Sequence, residues 1–273
     1  MIVDSVVLPL EWQNHAINDQ NAYLAVKHNS LYMKKCFLLI FGLFAVTLGM
    51  SQSSAFGLKG GLTIGLQEWG GFEQDPLLKY HGIAFIESYN PDEPFAVFAQ
   101  AGFHRKGSAI RNRNYRDPNS TGFVRPPARE FIFNNLSLTL GAKQKFLLSG
   151  NTQWYWLLGV RGDYTLDTNL DEYNEINMFY PIYPLDSDIF IRDFNYGITF
   201  GAGLDLPVAD LMGILLEFSV NPDLSYQYVQ PAIGNVVDPY TGGTRTINER
   251  RIRNLTFEVT LGFRFLRLVE YID

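Results

Sequence analysis

Two histidines, His81 and His104, are the side chains after position 51 best suited to moving protons near neutral pH. Folding the chain about a tight turn near Asp92 brings both to the long-loop ends of adjacent segments. A histidine beside Ser or Asp is how a nucleophile is activated. No serine nucleophile motif accompanies this pair, so no catalytic residue is expected. No phosphate loop, metal-ligand spacing or dinucleotide fingerprint occurs either. The single cysteine, Cys36, precedes an apolar run read below as a removed segment. Disulfides, thiolate zinc sites and cysteine catalysis are therefore excluded. The expectation is a non-enzyme with no metal and no cofactor.

Two further segments concentrate charge. Between 105 and 130 stand Arg105, Lys106, Arg111, Arg113, Arg116, Arg125 and Arg129 against Asp117 and Glu130. Between 166 and 193 stand Asp167, Asp171, Glu172, Glu175, Asp186, Asp188 and Asp193 against Arg192. Calcium takes clustered oxygen ligands, but this spacing does not match an EF-hand loop. Inside the acidic segment lies Met178-Phe-Tyr-Pro-Ile-Tyr-Pro-Leu185. An apolar, proline-stiffened run in a loop either folds down as a lid or offers Phe179, Tyr180 and Tyr183 to a partner.

The elements that must carry these loops are strands. Leu255, Phe257, Val259, Leu261, Phe263 and Phe265 alternate with Asn254, Thr256, Glu258, Thr260, Gly262 and Arg264. Alternation over twelve residues puts one greasy and one polar face on a strand long enough to cross a bilayer. Seven earlier segments repeat the pattern: 56–67, 80–89, 95–104, 136–146, 154–165, 194–206 and 213–228. Tight connections at 90–94, 148–152 and 207–211 alternate with long loops at about 68–79, 105–130, 166–193 and 229–253. Short turns at one end and long loops at the other predict an eight-stranded antiparallel up-and-down transmembrane β-barrel. Aromatics gather at strand ends in two belts. One holds Phe95, Trp154, Trp156, Phe263 and Phe265; the other holds Phe103, Phe194, Tyr196, Tyr226 and Tyr228. A soluble eight-stranded barrel would keep its apolar faces inside and would not need such belts.

The inward faces then carry Lys59, Lys143, Lys145, Arg161 and Arg264 against Glu87, Asp163, Asp205, Glu217 and Glu258. An eight-stranded barrel is just wide enough to be filled by side chains, so an internal ion-pair network is expected rather than a wide pore. Net charge of −6 gives no case for nucleic acid. Met33-Lys34-Lys35, the apolar run 37–48 and Gly49-Met50-Ser51 read as a secretory signal peptide over 33–51. Residues 1–32 then read as a mis-called upstream extension, and 52–273 as the barrel domain.

Phe56-Gly-Leu-Lys-Gly-Gly-Leu-Thr-Ile-Gly65 resembles the first strand of the PorT-family outer-membrane barrels of Bacteroidota. Phe103-His-Arg-Lys-Gly-Ser-Ala-Ile110 is similar to that family's polar Lys-Gly element after the third strand. Gly201-Ala-Gly-Leu-Asp205 and Leu261-Gly-Phe-Arg-Phe265 stand where it has comparable strands. The resemblance implies an outer-membrane location, and the family's name-giving member is a component of type IX secretion. These motifs are strand patterns, and none singles out secretion. The expected role is structural or protein-interacting, in an envelope or type IX secretion-like assembly. A narrow porin-like transporter of a small solute is the alternative. Expected partners are membrane lipid, lipopolysaccharide and an envelope protein, with both termini periplasmic and four loops outside.

Overall fold

The computed structural model describes residues 53–269 apart from 71, 91, 117–121, 180–181 and 238–241. The signal-peptide and extension readings, and Tyr180, lie outside the described residues. Eight long strands dominate: β1 (Ser54–Leu66), β2 (Leu77–Ser88), β3 (Phe95–Arg111), β4 (Arg129–Ser149), β5 (Thr152–Thr168), β6 (Phe194–Ala209), β7 (Met212–Pro222) and β8 (Leu255–Arg267). Each pairs antiparallel with the next, and β8 returns to β1 with Phe56 opposite Phe265 and Ile64 opposite Phe257. The closed ring leaves no open edge and satisfies backbone donors where lipid offers none. No helix among the described residues is long and apolar enough to cross a membrane; the strands do so.

Alternation sorts the faces as expected. Leu58, Leu62, Val160, Phe200, Leu261 and Phe263 point outward and are exposed, while their strand neighbours are largely buried. Phe95, Trp154, Trp156, Phe263 and Phe265 form the belt at the short-turn end, with Trp154 stacked on Phe146 at 4.5 Å between ring centroids. Turns tighten at 89–94, 150–151 and 210–211, all at the end that carries Ser54 and Arg267. Gly150, with φ of +57°, supplies the left-handed residue that the two-residue β4–β5 turn requires.

Two boundaries differ from the sequence reading. The seventh strand stops at Pro222 rather than continuing to Tyr228, and Tyr228 is fully buried rather than part of an interfacial belt. Proline cannot donate to the ladder, and Tyr196 O accepts from Leu224 N instead. The third and fourth strands run further than their lipid-phase alternation suggests, to Arg111 and back to Arg129. At 21 residues β4 is about twice the 9–11 a tilted spanning strand needs. The surplus stands clear of the membrane at the long-loop end. Gly107, at φ +142°, marks the departure in β3: a Cβ there would sit 1.8 Å from the Phe131 carbonyl oxygen.

Above this end the loops build a cap. It contains a 3-10 turn (Leu170–Tyr173), a short helix α1 (Asn174–Phe179) and small two-stranded ribbons, among them Tyr228–Gln230 with Arg250–Ile252. Its core is Trp69, Ile110, Phe131, Phe133, Leu170, Tyr173, Tyr183, Tyr228 and Ile252.

Candidate functional site

The inside of the barrel is the candidate site, because its polar residues converge there from all eight strands. The five bases and five acids expected to face inward are all buried, and Lys106 and Asp223 join them. Lys106 is a correction: it belongs to β3 and lies inside the barrel, not in a basic surface loop. Every second residue from His104 stays inward, so a strand continuing past His104 delivers Lys106 there. Asp223 sits in the same phase as Glu217, Ser219 and Asn221, one position past β7.

Toward the short-turn end, Lys59 Nζ donates to Glu217 at 2.6 Å, and Tyr155 Oη donates to the other oxygen of Glu217 at 2.9 Å. Glu87 accepts from Lys143 at 2.7 Å and Lys145 at 2.8 Å. Arg264 Nε donates to Asp205 at 2.9 Å. Sequence reasoning missed the apolar members of this layer, Phe85, Phe98, Leu157 and Leu215. They occupy polar-phase positions and wall the ammonium of Lys143, which lies 4.7 Å from the Tyr155 ring centroid and 5.4 Å from that of Phe85. Beyond them, the mouth holds a cavity of about 710 Å³ lined in part by Asp92, Glu93, Lys145, Asp205, Asp210 and Arg264.

Toward the cap, Asp163 accepts from Lys106 at 2.5 Å, from Arg161 Nε at 3.0 Å and from the Ser137 hydroxyl. Arg161 also donates to Asp223. A plate of amides closes this layer. Gln67 donates to Asn254 at 2.6 Å, Asn254 donates to Asp223 at 2.8 Å and to Gln227 at 3.1 Å, and Gln227 donates to Thr165 at 2.8 Å. Trp69 Nε1 donates down to Gln67 at 3.0 Å while its ring packs on Phe131 and Tyr228 above. One residue thus joins the polar interior to the apolar cap.

Between these layers His81 and His104 face each other directly across β2 and β3. The rings stack at 5.4 Å with 10° between planes. His104 Nδ1 donates to Glu258 Oε1 at 2.7 Å, and His81 is held by Thr63 and Thr260 hydroxyls at 3.0 and 2.9 Å. The expectation that both lie at the long-loop ends of their strands is corrected. His81 pairs with Gly61, midway along β1, because β2 begins at Leu77 and β3 runs seven residues beyond His104. Gly61 stands between His81 and Thr260 in the register row, and a Cβ there would sit 1.9 Å from the Val259 carbonyl oxygen of β8, so the close β1–β8 approach beneath the His81–Thr260 hydrogen bond requires glycine.

Of the apolar run in the acidic loop, residues 182–185 fold inward. Tyr183 is buried against Phe131 and Tyr173, its hydroxyl accepts from Asn112 at 3.1 Å, and its backbone N–H donates to Asn177 at 3.0 Å. Arg250 donates to the Ile182 carbonyl at 2.6 Å. Tyr183 is thereby withdrawn from the surface, whereas Met178 beside Phe179 is 77% exposed. Burial pushes the Tyr228 phenol up to about 12, and burial followed by the Glu172 carboxylate does the same to Tyr173.

An eight-stranded closed barrel with a greasy outer band, aromatic ends and a polar filled interior is the architecture of a small outer-membrane protein. Residues 50–226 match the family model described as "Outer membrane protein beta-barrel domain", and the chain belongs to that family. No curated protein matches the sequence. Among solved structures it is similar to the outer membrane protein OprG from Pseudomonas aeruginosa, at 12% identity, covering 79% of this chain and 97% of that one, with a TM-score of 0.46. It is also similar to Neisserial surface protein A, at 11% identity over 77% and 97% of the two chains, TM-score 0.39. The Escherichia coli outer membrane protease OmpT is matched at 9% identity over 80% and 98%, TM-score 0.37.

Proposed function

We propose that this outer-membrane barrel is a non-enzymatic structural or interaction protein that presents its capped loops to the outside and works within an envelope assembly. The observation that carries this reading is the plugged interior. Six buried cations and six buried carboxylates, tied to one another or to neighbouring polar groups, fill the barrel, and an aromatic core lies over one end. A conducting path would require breaking buried ion pairs, each costing several kcal/mol once one partner is left bare. What remains to meet other molecules is the surface of the loops. There Arg113, Arg116, Arg125 and Arg129 are exposed and suit the phosphates of lipopolysaccharide, while Phe123 and Met178 suit a protein partner. An assembly of the type IX secretion kind is one such setting, named by the resemblance to PorT-family barrels although none of the shared strand motifs singles it out; both termini would be periplasmic.

The protein reconstituted in planar bilayers is expected to give no steady conductance; stable single-channel steps would overturn the reading. Crosslinkers at Phe123 and Met178 in whole cells are expected to capture an envelope protein. Purification from native outer membranes that yields only a solitary barrel would count against an assembly. A narrow transporter is the second reading, favoured by the 710 Å³ cavity at the short-turn mouth, and the conductance experiment separates the two.

A further inference from the structure

Of the six carboxylates buried inside the barrel, five have a Lys or Arg within ion-pair distance. Glu87 has two. Glu258 has none; its ion-pair partner is the imidazole of His104. A carboxylate kept from water needs compensation, and a cation bound beside His104 would supply it. Ligand atoms of His81, His104 and Glu258 lie within 4.8 Å of one another, and all three residues are buried. In the same register row, Asn135 stands opposite His104 on β4. It is fully buried, and neither its amide nitrogen nor its oxygen has a partner. Native interiors seldom leave such a group unpaired unless something occupies the space beside it.

We propose that His81, His104 and Glu258 form a site for one divalent transition-metal ion of the zinc, cobalt or nickel class, with Asn135 facing the ion or a water bound to it. Two imidazoles and one carboxylate suit these metals, whereas calcium and magnesium prefer all-oxygen shells. Ligands about 2.0–2.1 Å from one ion sit about 3.3 Å apart, so the ligand atoms need to close by on the order of 1 Å, and the stacked rings must turn out of parallel so that their in-plane lone pairs converge on the ion. Thr63 and Thr260 hold the two ring nitrogens of His81; the ion would take the place of one of these hydroxyls, and the other would supply the outer hydrogen bond that orients the metal-bound ring. Three strands contribute ligands, and β1 separates β8 from β2. The ion would therefore act as a cross-brace over the seam where the ring closes.

The test uses the purified protein, folded in detergent and stripped with a chelator. Cobalt is titrated while its visible absorption is followed, and zinc is measured by competition. One equivalent should bind, unaffected by millimolar magnesium or calcium. His81→Gln and His104→Gln should each weaken binding at least about 10-fold, the lower bound known for loss of even an outer-sphere partner. Folding of each variant is checked by its heat-modifiable gel mobility. X-ray absorption on the zinc-loaded wild type, which should show two imidazoles in the coordination sphere, keeps the test open if a variant does not fold. No saturable binding to the wild type, or binding undiminished in the double histidine variant, would overturn the site.

Discussion

The barrel and its cap are inverted copies of one packing problem. Inside the membrane the inward face of β4 reads Asn135, Ser137, Thr139, Lys143 and Lys145. Two positions further along the same face, beyond the membrane, it reads Phe133 and Phe131, both fully buried. The chain makes the same change just before β8, from Thr256 through Asn254 to Ile252, and just after β1, from Thr63 through Gln67 to Trp69. The alternation along β4 carries through, although the β4–β5 register shifts between Asn134 and Asn135 and Gly107 departs from ordinary strand geometry in β3; what changes sign is the medium outside. Where lipid covers the wall, apolar side chains gain most by facing out, and the polar ones must satisfy each other within. Where water covers the loops, the ordinary order returns and the apolar groups turn inward.

The contrast predicts different failures. In the barrel, Asp163→Ala strips two cations, Lys106 and Arg161, of their shared carboxylate. A loss of about 3–5 kcal/mol in urea unfolding from lipid vesicles is expected, because the charges are left buried. In the cap, Phe131→Ala removes a ring that touches Trp69, Tyr173 and Tyr183. The cost should be about 3 kcal/mol and confined to the loops. Proteolysis at the long-loop end should rise while the heat-modifiable band of the closed barrel persists. Loss of that band would mean that cap and barrel fold as one unit.

Alkaline pH should strike the cap through its tyrosines. Tyr228 and Tyr173 have phenols raised from about 10 to about 12, so the folded cap favours their neutral form. A raised value means that this stability is fully present below pH 10 and is lost as pH climbs to about 12. Tyrosinate absorbance that develops in step with protease sensitivity would confirm the order; ionisation with the cap still closed would not fit it. The smallest effect is expected at the rim. Lys79 and Glu130 form a partly exposed pair at 2.7 Å, and Lys79→Ala should cost under about 1 kcal/mol and fade with salt.

Much of this molecule is legible without coordinates. Period-two alternation, together with the turn-and-loop rhythm, is enough for eight strands, their inward and outward faces and the ten inward charges. It succeeds because a lipid-facing wall allows few exceptions: nearly every outward position is apolar or glycine, so each strand repeats its message. The reading fails where that constraint ends. Lys106 looked like a loop residue because alternation of the lipid kind stops near His104, although the strand does not. Tyr228 looked like a belt residue for the same reason. Tyr183 could have been lid or contact surface, and its own neighbours in the chain do not decide between them.

The sequence alone determined which face of each spanning strand turns into the barrel, since a strand has only two faces and lipid claims one. Only the tertiary structure decided which of them meet. His81, His104 and Glu258 lie on three strands separated by up to 177 positions, and their approach depends on the stagger of the closed ring. Gly61 contributes by letting β1 and β8 lie close, since a Cβ there would meet the Val259 carbonyl oxygen. Register is a property of all eight strands at once, and no single segment contains it.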